Sequence, residues 1–369
     1  MITNIIPVSQ PALVGNEKTY VIDCLDSNWI SSNGKYIHLF EQKFAEYLGV
    51  KHALSCCNGT TALHLALLAS GVGHGDEVIV PTLTYVATAN TVAYTGAQPV
   101  LADCEPDTWN IDTAKIEALI TTRTKAIIPV PLYGHPCDMD PILDLARRHK
   151  LFVIEDAAEA LGASYKGRLC GSIADISTFS FYGNKTITTG EGGMVVTNDD
   201  ELAARIKIFK GQGMDQNRRY WFPQIGYNYR MTNIQAAIGL AQMENVDLFL
   251  AKRRTIADMY KLHLADIPGI TLPIIKEYAE HSWWMYSILI ENEYGQRRDA
   301  VMKKLDDYGV ETRPFFYPMH IMPVYSGGGS NLDVAVSVAK KGINLPTYYE
   351  LCEEYIVYIA NILRDICKL

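Results

Sequence analysis

Residues 52–71, HALSCCNGTTALHLALLASG, contain two patterns that decide the fold class. The first six residues form a short, mostly apolar run of the kind found in buried strands, and the last thirteen have the spacing of an apolar helix. The turn between them, NGTT (58–61), is made of small and polar residues that suit the start of a helix. The stretch therefore predicts a strand that turns directly into a helix.

The same alternation continues to about residue 200. Further strand-like runs are DEVIVP (76–81), QPVLADC (98–104), TKAIIPVPLY (124–133), LFVIEDA (151–157) and DISTFSFY (175–182), and helical segments occupy 87–96, 112–120 and 139–150. Strands that are apolar on both faces and alternate with helices indicate a mainly parallel sheet covered on both sides. We therefore predict an α/β fold whose ligands bind in the loops at the carboxyl ends of the strands.

The chain of 369 residues is long enough for two domains. Residues 238–264 lack a strong helix breaker and predict one long helix that leads into a smaller C-terminal α/β domain. That domain would hold a strand over 283–292, a helix over 297–309 and a last helix over 350–367. We expect a large domain over 1–245 and a small domain over 246–369.

Composition excludes several classes of protein. A net charge of −8 argues against a nucleic-acid-binding surface, which would normally be basic. The sequence shows no signal-peptide pattern and no apolar run near the ~20 residues that span a bilayer. Its eight cysteines are scattered without a C-x-x-C pair, so we expect reduced thiols in a cytoplasmic protein and no zinc or other metal site.

One lysine, Lys185, stands alone among small residues in STFSFYGNKTITTGEGG (177–193). A Walker-type phosphate loop, G-x-x-x-x-G-K-[ST], would place a lysine in such surroundings. The two required glycines would fall at Phe179 and Asn184, so a nucleotide-hydrolase loop is excluded. Lys185 instead follows a predicted strand, at the edge of the sheet where ligands bind.

Two other features are expected at the same edge. The NGTT turn either caps its helix or offers free N–H groups to an anion. Asp156, at the end of LFVIED, either caps a helix or is a buried carboxylate that needs a cationic partner. An ammonium group, a carboxylate and a helix N-terminus could together bind an aldehyde, a ring nitrogen and a phosphate. Pyridoxal 5′-phosphate (PLP) carries all three groups.

The motifs NGTTAL, PTLTYVATAN, EDAAEA, SFYGNKTITTGEGG and GYNYRM resemble those of the DegT/DnrJ/EryC1/StrS sugar aminotransferase family, over nearly the whole chain. The resemblance implies the aspartate-aminotransferase fold (fold type I) with PLP as cofactor. It implies that Lys185 is the Schiff-base lysine and that Asp156 pairs with the ring nitrogen. The other implied cofactor contacts are Gly59, Thr60 and Ser180 to the phosphate, Tyr85 stacked on the ring, and Asn228 supplied by a partner subunit in a homodimer with shared active sites.

Glu159 is a departure from the family pattern. Many members carry Gln or His three residues after the aspartate, facing the phenolic oxygen of the cofactor, and a carboxylate there is repulsive unless one group holds a proton. We still expect Glu159 in the site. A dehydratase branch of the family carries histidine in place of the lysine, so Lys185 implies a transaminase, with L-glutamate as the expected amino donor.

Two segments supply candidates for substrate contacts. Residues 210–231 contain RRYWF and residues 311–326 contain RPFFYPMH, and arginines with aromatic residues can bind a diphosphate and a base. The alternatives are a solvated basic turn over a buried aromatic cluster and a packed loop of the small domain, and we prefer the packed loop for Phe315. His64 and His135 are interpreted as core or loop residues. The expected substrate contacts are Arg219, Tyr220, Trp221, Arg313, Tyr317 and His320.

These segments, with YGHPCDMDPI and GINLP, resemble family members that aminate C4 of a GDP-linked 4-keto-6-deoxy sugar for surface-polysaccharide synthesis. The resemblance therefore implies that substrate. Two alternatives stay open: the same chemistry on a UDP- or dTDP-linked 4-keto-6-deoxyhexose, and a regulatory protein that binds PLP without turnover.

Overall fold

The computed structural model describes residues 5–215, 217–327, 329 and 331–367. The helices in this part of the chain are α1 (Glu17–Asp26), α2 (Lys35–Leu48), α3 (Gly59–Ala69), α4 (Ala87–Tyr94), α5 (Thr113–Ile116), α6 (Met139–His149), α7 (Asp200–Lys210), α8 (Asn233–Glu244), α9 (Val246–Leu264), α10 (Arg298–Asp307), α11 (Asp333–Lys341) and α12 (Glu353–Cys367). Among these described helices, none is long and apolar enough to cross a membrane.

The strands are β1 (His52–Cys56), β2 (Glu77–Pro81), β3 (Gln98–Ala102), β4 (Thr124–Ile127), β5 (Phe152–Asp156), β6 (Ser164–Tyr165), β7 (Arg168–Leu169), β8 (Ile176–Ser180), β9 (Gly193–Thr197), β10 (Ile270–Thr271), β11 (Ala279–Glu280), β12 (Tyr286–Ile290), β13 (Arg313–Pro314) and β14 (Gly342–Leu345). They form a seven-stranded sheet, a four-stranded sheet and a small three-stranded sheet, β11-β6-β7.

The seven-stranded sheet has the order β1-β9-β8-β5-β4-β2-β3. Four of its pairings are parallel, and only β9 runs antiparallel to its neighbours β1 and β8. The six strands expected from the sequence therefore all point the same way, so their carboxyl ends meet at one edge. The mainly parallel sheet is confirmed, whereas β9, which follows the glycine-rich stretch after Lys185, was not anticipated.

Helices cover both faces of this sheet, as expected for strands that are apolar on both sides. On one face α3 and α7 contribute Leu65 and Ile206 to a cluster with the strands. On the other face α2 packs Phe40 and Phe44 against the β8 strand, where the Phe44 ring centroid lies 5.0 Å from that of Phe179. Each such fully buried aromatic or aliphatic side chain stabilises the fold by about 1.5–3 kcal/mol.

The four-stranded sheet, β10-β12-β14-β13, is antiparallel and belongs to the C-terminal part of the chain. Helices α9, α10 and α12 share a hydrophobic cluster with it that includes Tyr260, Ile288 and Leu363. The elements expected over 283–292, 297–309 and 350–367 correspond to β12, α10 and α12. The domain boundary between 245 and 246 stays a prediction.

The prediction of a single helix over 238–264 is wrong. Helix α8 ends at Glu244 and α9 begins at Val246, and Asn245 between them has φ −114° and ψ 10°. The Asn245 side chain donates a hydrogen bond to the carbonyl of Ala241 (3.1 Å), and its own N–H turns back to Gln242 (3.1 Å). Asparagine competes with the helical hydrogen-bond pattern in this way, and the helix is interrupted.

Candidate active site

A cavity of about 450 Å³ lies at the carboxyl edge of the seven-stranded sheet. Loops that follow β1, β2, β4, β5 and β8 contribute to its wall, together with Trp284 and Met285 just before β12 and with residues around β13 and β14. The residues expected from the sequence that line the cavity are Gly59, Thr60, Tyr85, Asp156, Glu159, Ser180, Lys185 and Arg313. Their individual roles remain predictions.

Lys185 lies in the loop after β8, where its N–H donates to the carbonyl of Tyr182 (2.9 Å). Its Nζ is 3.7 Å from the centroid of the Trp284 ring and 3.9 Å from Oε1 of Glu159. The Trp284 indole N–H in turn donates to the carbonyl of Asn184 (2.8 Å), which fixes the ring beside the lysine. Burial lowers the pKa of Lys185, because a low-dielectric site disfavours the ammonium form.

Asp156 is the last residue of β5 and is almost completely buried. The hydroxyl of Thr88 on α4 donates to its Oδ2 (2.8 Å). Burial raises the pKa of Asp156, and the Thr88 hydrogen bond and the nearby Lys185 charge oppose that rise. A carboxylate held in this way can stabilise a positive charge or hold a proton on a nitrogen atom placed in the cavity.

Glu159 lies in the turn after β5. Its Oε2 accepts the backbone N–H of Tyr133 (2.8 Å), a residue whose φ of 54° lies in the left-handed region. Only 4% of the Glu159 residue is exposed, and burial raises the pKa of its carboxyl group while the Lys185 charge opposes that rise. Glu159 lines the cavity, and its role there stays a prediction.

The N-terminus of α3 forms another wall of the cavity. Asn58 caps the helix by accepting the N–H of Thr61 (2.9 Å), which leaves the N–H groups of Gly59 and Thr60 without a helical acceptor. A Cβ atom at Gly59 would lie 2.7 Å from Cβ of Ser180, so only glycine lets the helix start this close to the serine. Helix capping and anion binding, the two alternatives for the NGTT turn, are therefore compatible, because a capped helix start can also bind an anion.

This set of groups fits PLP. The start of α3 and Ser180 offer hydrogen-bond donors for a phosphate. Asp156 is a buried acid that can pair with a ring nitrogen, and Lys185 is an amine of lowered pKa that can react with an aldehyde. Tyr85 lines the same space with more than half of its surface exposed, and its ring lies 5.8 Å from that of Phe316. A residue that is exposed within a cavity can stack on an aromatic ligand.

The loop between α7 and α8 (residues 211–232) holds other expected site residues, and these do not line the cavity of this chain. Asn228 is exposed and accepts a hydrogen bond from Nε of Arg230 (3.1 Å). The guanidinium carbon of Arg219 lies 4.9 Å from the centroid of the Tyr220 ring, and that of Arg218 lies 4.2 Å from the centroid of the Trp221 ring.

The alternative of a basic turn over a buried aromatic cluster is wrong for this loop. Tyr220, Trp221 and Phe222 are 72%, 51% and 53% exposed, so the arginines stack on rings that face outward. Adjacent large apolar side chains at this level of exposure indicate a binding surface for a ligand or another protein chain.

Of the second segment, only part reaches the cavity. Arg313 and Phe316 line it, whereas the exposed Tyr317 and the half-buried His320 do not. His320 Nδ1 lies 2.8 Å from the Thr82 hydroxyl. Phe315 is buried against Trp109, with ring centroids 4.8 Å apart, as the packed-loop interpretation expects.

The two histidines interpreted as structural are indeed buried. His64 packs among tyrosines and lies 3.2 Å from the Tyr229 hydroxyl, and His135 accepts the N–H of Lys276 (3.2 Å).

Sequence reasoning missed Thr88, Tyr133, Trp284 and Asn344, all of which contact or line the site. Thr88 had a signal, because it lies three residues after Tyr85 in the quoted PTLTYVATAN motif. Asn344 lies in the quoted GINLP motif. Tyr133 is the first residue of the quoted YGHPCDMDPI motif, whereas Trp284 had no signal, because it lies within a segment interpreted as a strand.

Comparisons with known proteins agree with this geometry. A model of the DegT/DnrJ/EryC1/StrS aminotransferase family matches residues 11–364. The chain is similar to "GDP-perosamine synthase" of Caulobacter vibrioides (58% identity, 94% of each chain) and of Escherichia coli O157:H7 (52%, 98% of each). It also superposes on the PLP form of a sugar aminotransferase, Spr1654 of Streptococcus pneumoniae (29% identity, 99% of each chain, TM-score 0.92). These findings confirm the predicted fold class and a PLP-dependent aminotransferase. The chain belongs to the DegT/DnrJ/EryC1/StrS aminotransferase family.

Proposed function

We propose that this enzyme transfers an amino group from L-glutamate to C4 of GDP-4-keto-6-deoxy-D-mannose and so makes GDP-perosamine. The observation that carries the chemistry is the position of Lys185, which lines one cavity with Asp156, Glu159 and the start of α3. The choice of sugar nucleotide is supported by relatives at 58% and 52% identity, which are named for that product and match nearly the whole chain.

PLP, when bound, supplies a ring that accepts electrons from the bond broken at the donor's Cα. The N–H groups of Gly59 and Thr60, with the Ser180 hydroxyl, would bind its phosphate, and Tyr85 would stack on its ring. Asp156 would keep a proton on the ring nitrogen, because its carboxylate is oriented by Thr88 and shielded from water.

Lys185 would move the proton between the amino donor's Cα and the cofactor. A general base works best when its pKa lies near the working pH, and burial lowers the pKa of Lys185 in that direction. Trp284 and Glu159, both close to Nζ, would restrict where the amine can lie and so where it removes the proton.

A second copy of the chain would complete the site. Asn228 lies outside the cavity in one chain, and we propose that it reaches the cofactor phosphate of a partner subunit in a homodimer. The exposed Arg219, Tyr220 and Trp221 would contact the sugar nucleotide, together with Arg313, Tyr317 and His320. Guanidinium groups stacked on aromatic rings suit a diphosphate beside a base.

We expect the reaction to serve surface-polysaccharide synthesis, O-antigen in a Gram-negative cell, and to take place in the cytoplasm. All eight cysteines are unpaired thiols in the structure, as suits a reducing compartment.

The test supplies purified enzyme with L-glutamate and, in turn, a GDP-, UDP- or dTDP-linked 4-keto-6-deoxyhexose. We expect 2-oxoglutarate and a 4-amino sugar, with kcat/KM for the GDP sugar about a hundredfold above the others, which corresponds to about 3 kcal/mol. Similar rates with the UDP or dTDP sugar would refute the guanosine assignment. Bound PLP without turnover on any of them would favour a regulatory role.

Arg219→Ala separates the two substrates of this reaction. The variant should lose much of the rate with the sugar nucleotide, while amino transfer from glutamate to the cofactor, followed by absorbance, stays near the wild-type rate. An equal loss in both halves would show that Arg219 does not act on the sugar nucleotide.

A further inference from the structure

Among the residues that the structure describes, Glu159 is the acidic side chain within ion-pair distance of Lys185. Glu159 is buried, and the Lys185 side chain is 13% exposed. We propose that these two residues form a proton-transfer pair, in which the carboxylate of Glu159 takes the proton that the Lys185 ammonium releases and later returns it. The inference rests on the proposed function, because it assigns Lys185 the part of an acid and base.

The geometry gives the two oxygens of Glu159 different tasks. Oε2 is held by the backbone N–H of Tyr133 (2.8 Å), and Oε1 faces Nζ of Lys185 at 3.9 Å. Trp284 lies 3.7 Å from Nζ to its ring centroid, and its own N–H is bonded to the carbonyl of Asn184. The amine thus lies close to both a ring and a carboxyl oxygen.

The transfer is a balanced proton exchange. The N–H bond of the Lys185 ammonium breaks, its electron pair stays on the nitrogen as the lone pair of a neutral amine, and an O–H bond forms on Oε1 of Glu159. The two atoms must approach by roughly 1 Å to reach hydrogen-bond distance, and catalytic hydrogen bonds are often long in a site without its ligands.

Burial favours such a pair. An isolated ammonium or carboxylate is costly in a low-dielectric cavity, and the cost is small when one proton is shared, since the pair is neutral overall on either side of the exchange. The other charges facing the pair partly balance each other: Asp156 favours the ammonium and Arg313 opposes it. The other titratable groups among the described residues that line the cavity are Glu191 and the phenols of Tyr85, Tyr133 and Tyr182.

The pair also accounts for the departure from the family pattern. Glutamine in this position could accept the Tyr133 N–H but could not store a proton. A protonated Glu159 would present an O–H donor instead of a negative charge to a phenolic oxygen, so the repulsion expected from the sequence would disappear.

The test follows Lys185 itself. The full-length protein is loaded with pyridoxamine 5′-phosphate, which leaves the lysine free, and acylation of Lys185 by acetic anhydride is mapped by mass spectrometry against pH. A coupled pair loses its two protons in separate steps, so the wild type should show two rises with a plateau between them. Glu159→Gln should show a single rise.

Glu155→Gln is the matched control. It makes the same change at a glutamate four residues earlier that is fully buried but does not line the cavity, and its profile should keep both steps. A single rise in the wild type, or two rises in Glu159→Gln, would overturn the inference.

A second measurement covers the case that Glu159→Gln does not fold. In wild-type protein with 13C-labelled glutamate, the Glu159 carboxyl carbon should titrate in the same two steps as Lys185. A carbon that titrates once, in the ordinary range of an exposed glutamate, would also overturn it.

Failure of the proposed function would look different. No sugar nucleotide is used here, so a wrong substrate leaves both profiles unchanged. Failure to bind pyridoxamine 5′-phosphate would contradict the cofactor site, and the unloaded chain would still decide whether the pair is coupled.

Discussion

The cavity around Lys185 and the loop between α7 and α8 differ in the burial and the hydrogen bonding of their side chains. In the cavity Asp156 and Glu159 are buried, and each has a defined hydrogen-bond partner, Thr88 for Asp156 and the backbone of Tyr133 for Glu159. In the loop, Tyr220, Trp221 and Asn228 are exposed, and the arginines stack on rings that face outward. The cavity is organised within one chain, whereas the loop has the exposed aromatic surface of a region that acts on another molecule.

Mixing two inactive variants would decide whether these regions meet across subunits. Lys185→Ala removes the acid and base and should reduce activity by about 10⁴-fold or more. Asn228→Ala should also be nearly inactive. After subunit exchange, half of the dimers are mixed and each mixed dimer has one intact site, so about a quarter of the wild-type activity should return.

The control is each variant exchanged with itself, and mass spectrometry verifies that mixed dimers form. If mixed dimers form and activity does not return, Asn228 acts within its own chain or not at all, and the proposed division between cavity and loop fails.

The sequence predicted the cavity well because its residues follow strands. Lys185, Asp156 and the NGTT turn each come directly after an apolar run, and parallel strands bring their carboxyl ends to one edge. Trp284 and Tyr133 could not be predicted, because their place beside Lys185 and Glu159 depends on how distant segments pack. The strand β9 was missed because its short run follows a glycine-rich turn that has no period.

A milder change tests the cavity alone. Thr88→Val keeps the size of the side chain and removes the hydrogen bond to Asp156 (2.8 Å). Since that bond lowers the pKa of Asp156, its loss should raise this pKa and move the acid limb of the kcat/KM profile to higher pH. We expect a loss of about tenfold at pH 7, the size of one hydrogen bond to a charged group.

Thr88→Ser keeps the hydroxyl and serves as the control, with a profile near that of the wild type. An acid limb in the same place for Thr88→Val and the wild type would show that Thr88 does not control the charge on Asp156.

The smallest effect on activity is expected from Glu155→Gln, outside both regions. Glu155 precedes Asp156 on β5, so its side chain points to the opposite face of the sheet, where it accepts the N–H of Gly171 (2.6 Å). The amide of glutamine can accept the same N–H, and we expect kcat/KM to change by less than about threefold.

The effect of this change should appear in stability instead. Burial raises the pKa of Glu155 from its ordinary value of 4.5 to about 7. Because the folded state holds this proton more tightly than the unfolded state, the carboxyl group contributes stability below its ordinary pKa and loses that contribution as pH rises through the folded value. The free energy of unfolding of the wild type relative to Glu155→Gln should therefore fall by roughly 2–3 kcal/mol between about pH 4 and pH 8. Urea unfolding of both proteins across this range measures the difference, and a difference that is constant with pH would show that folding does not shift the pKa of Glu155.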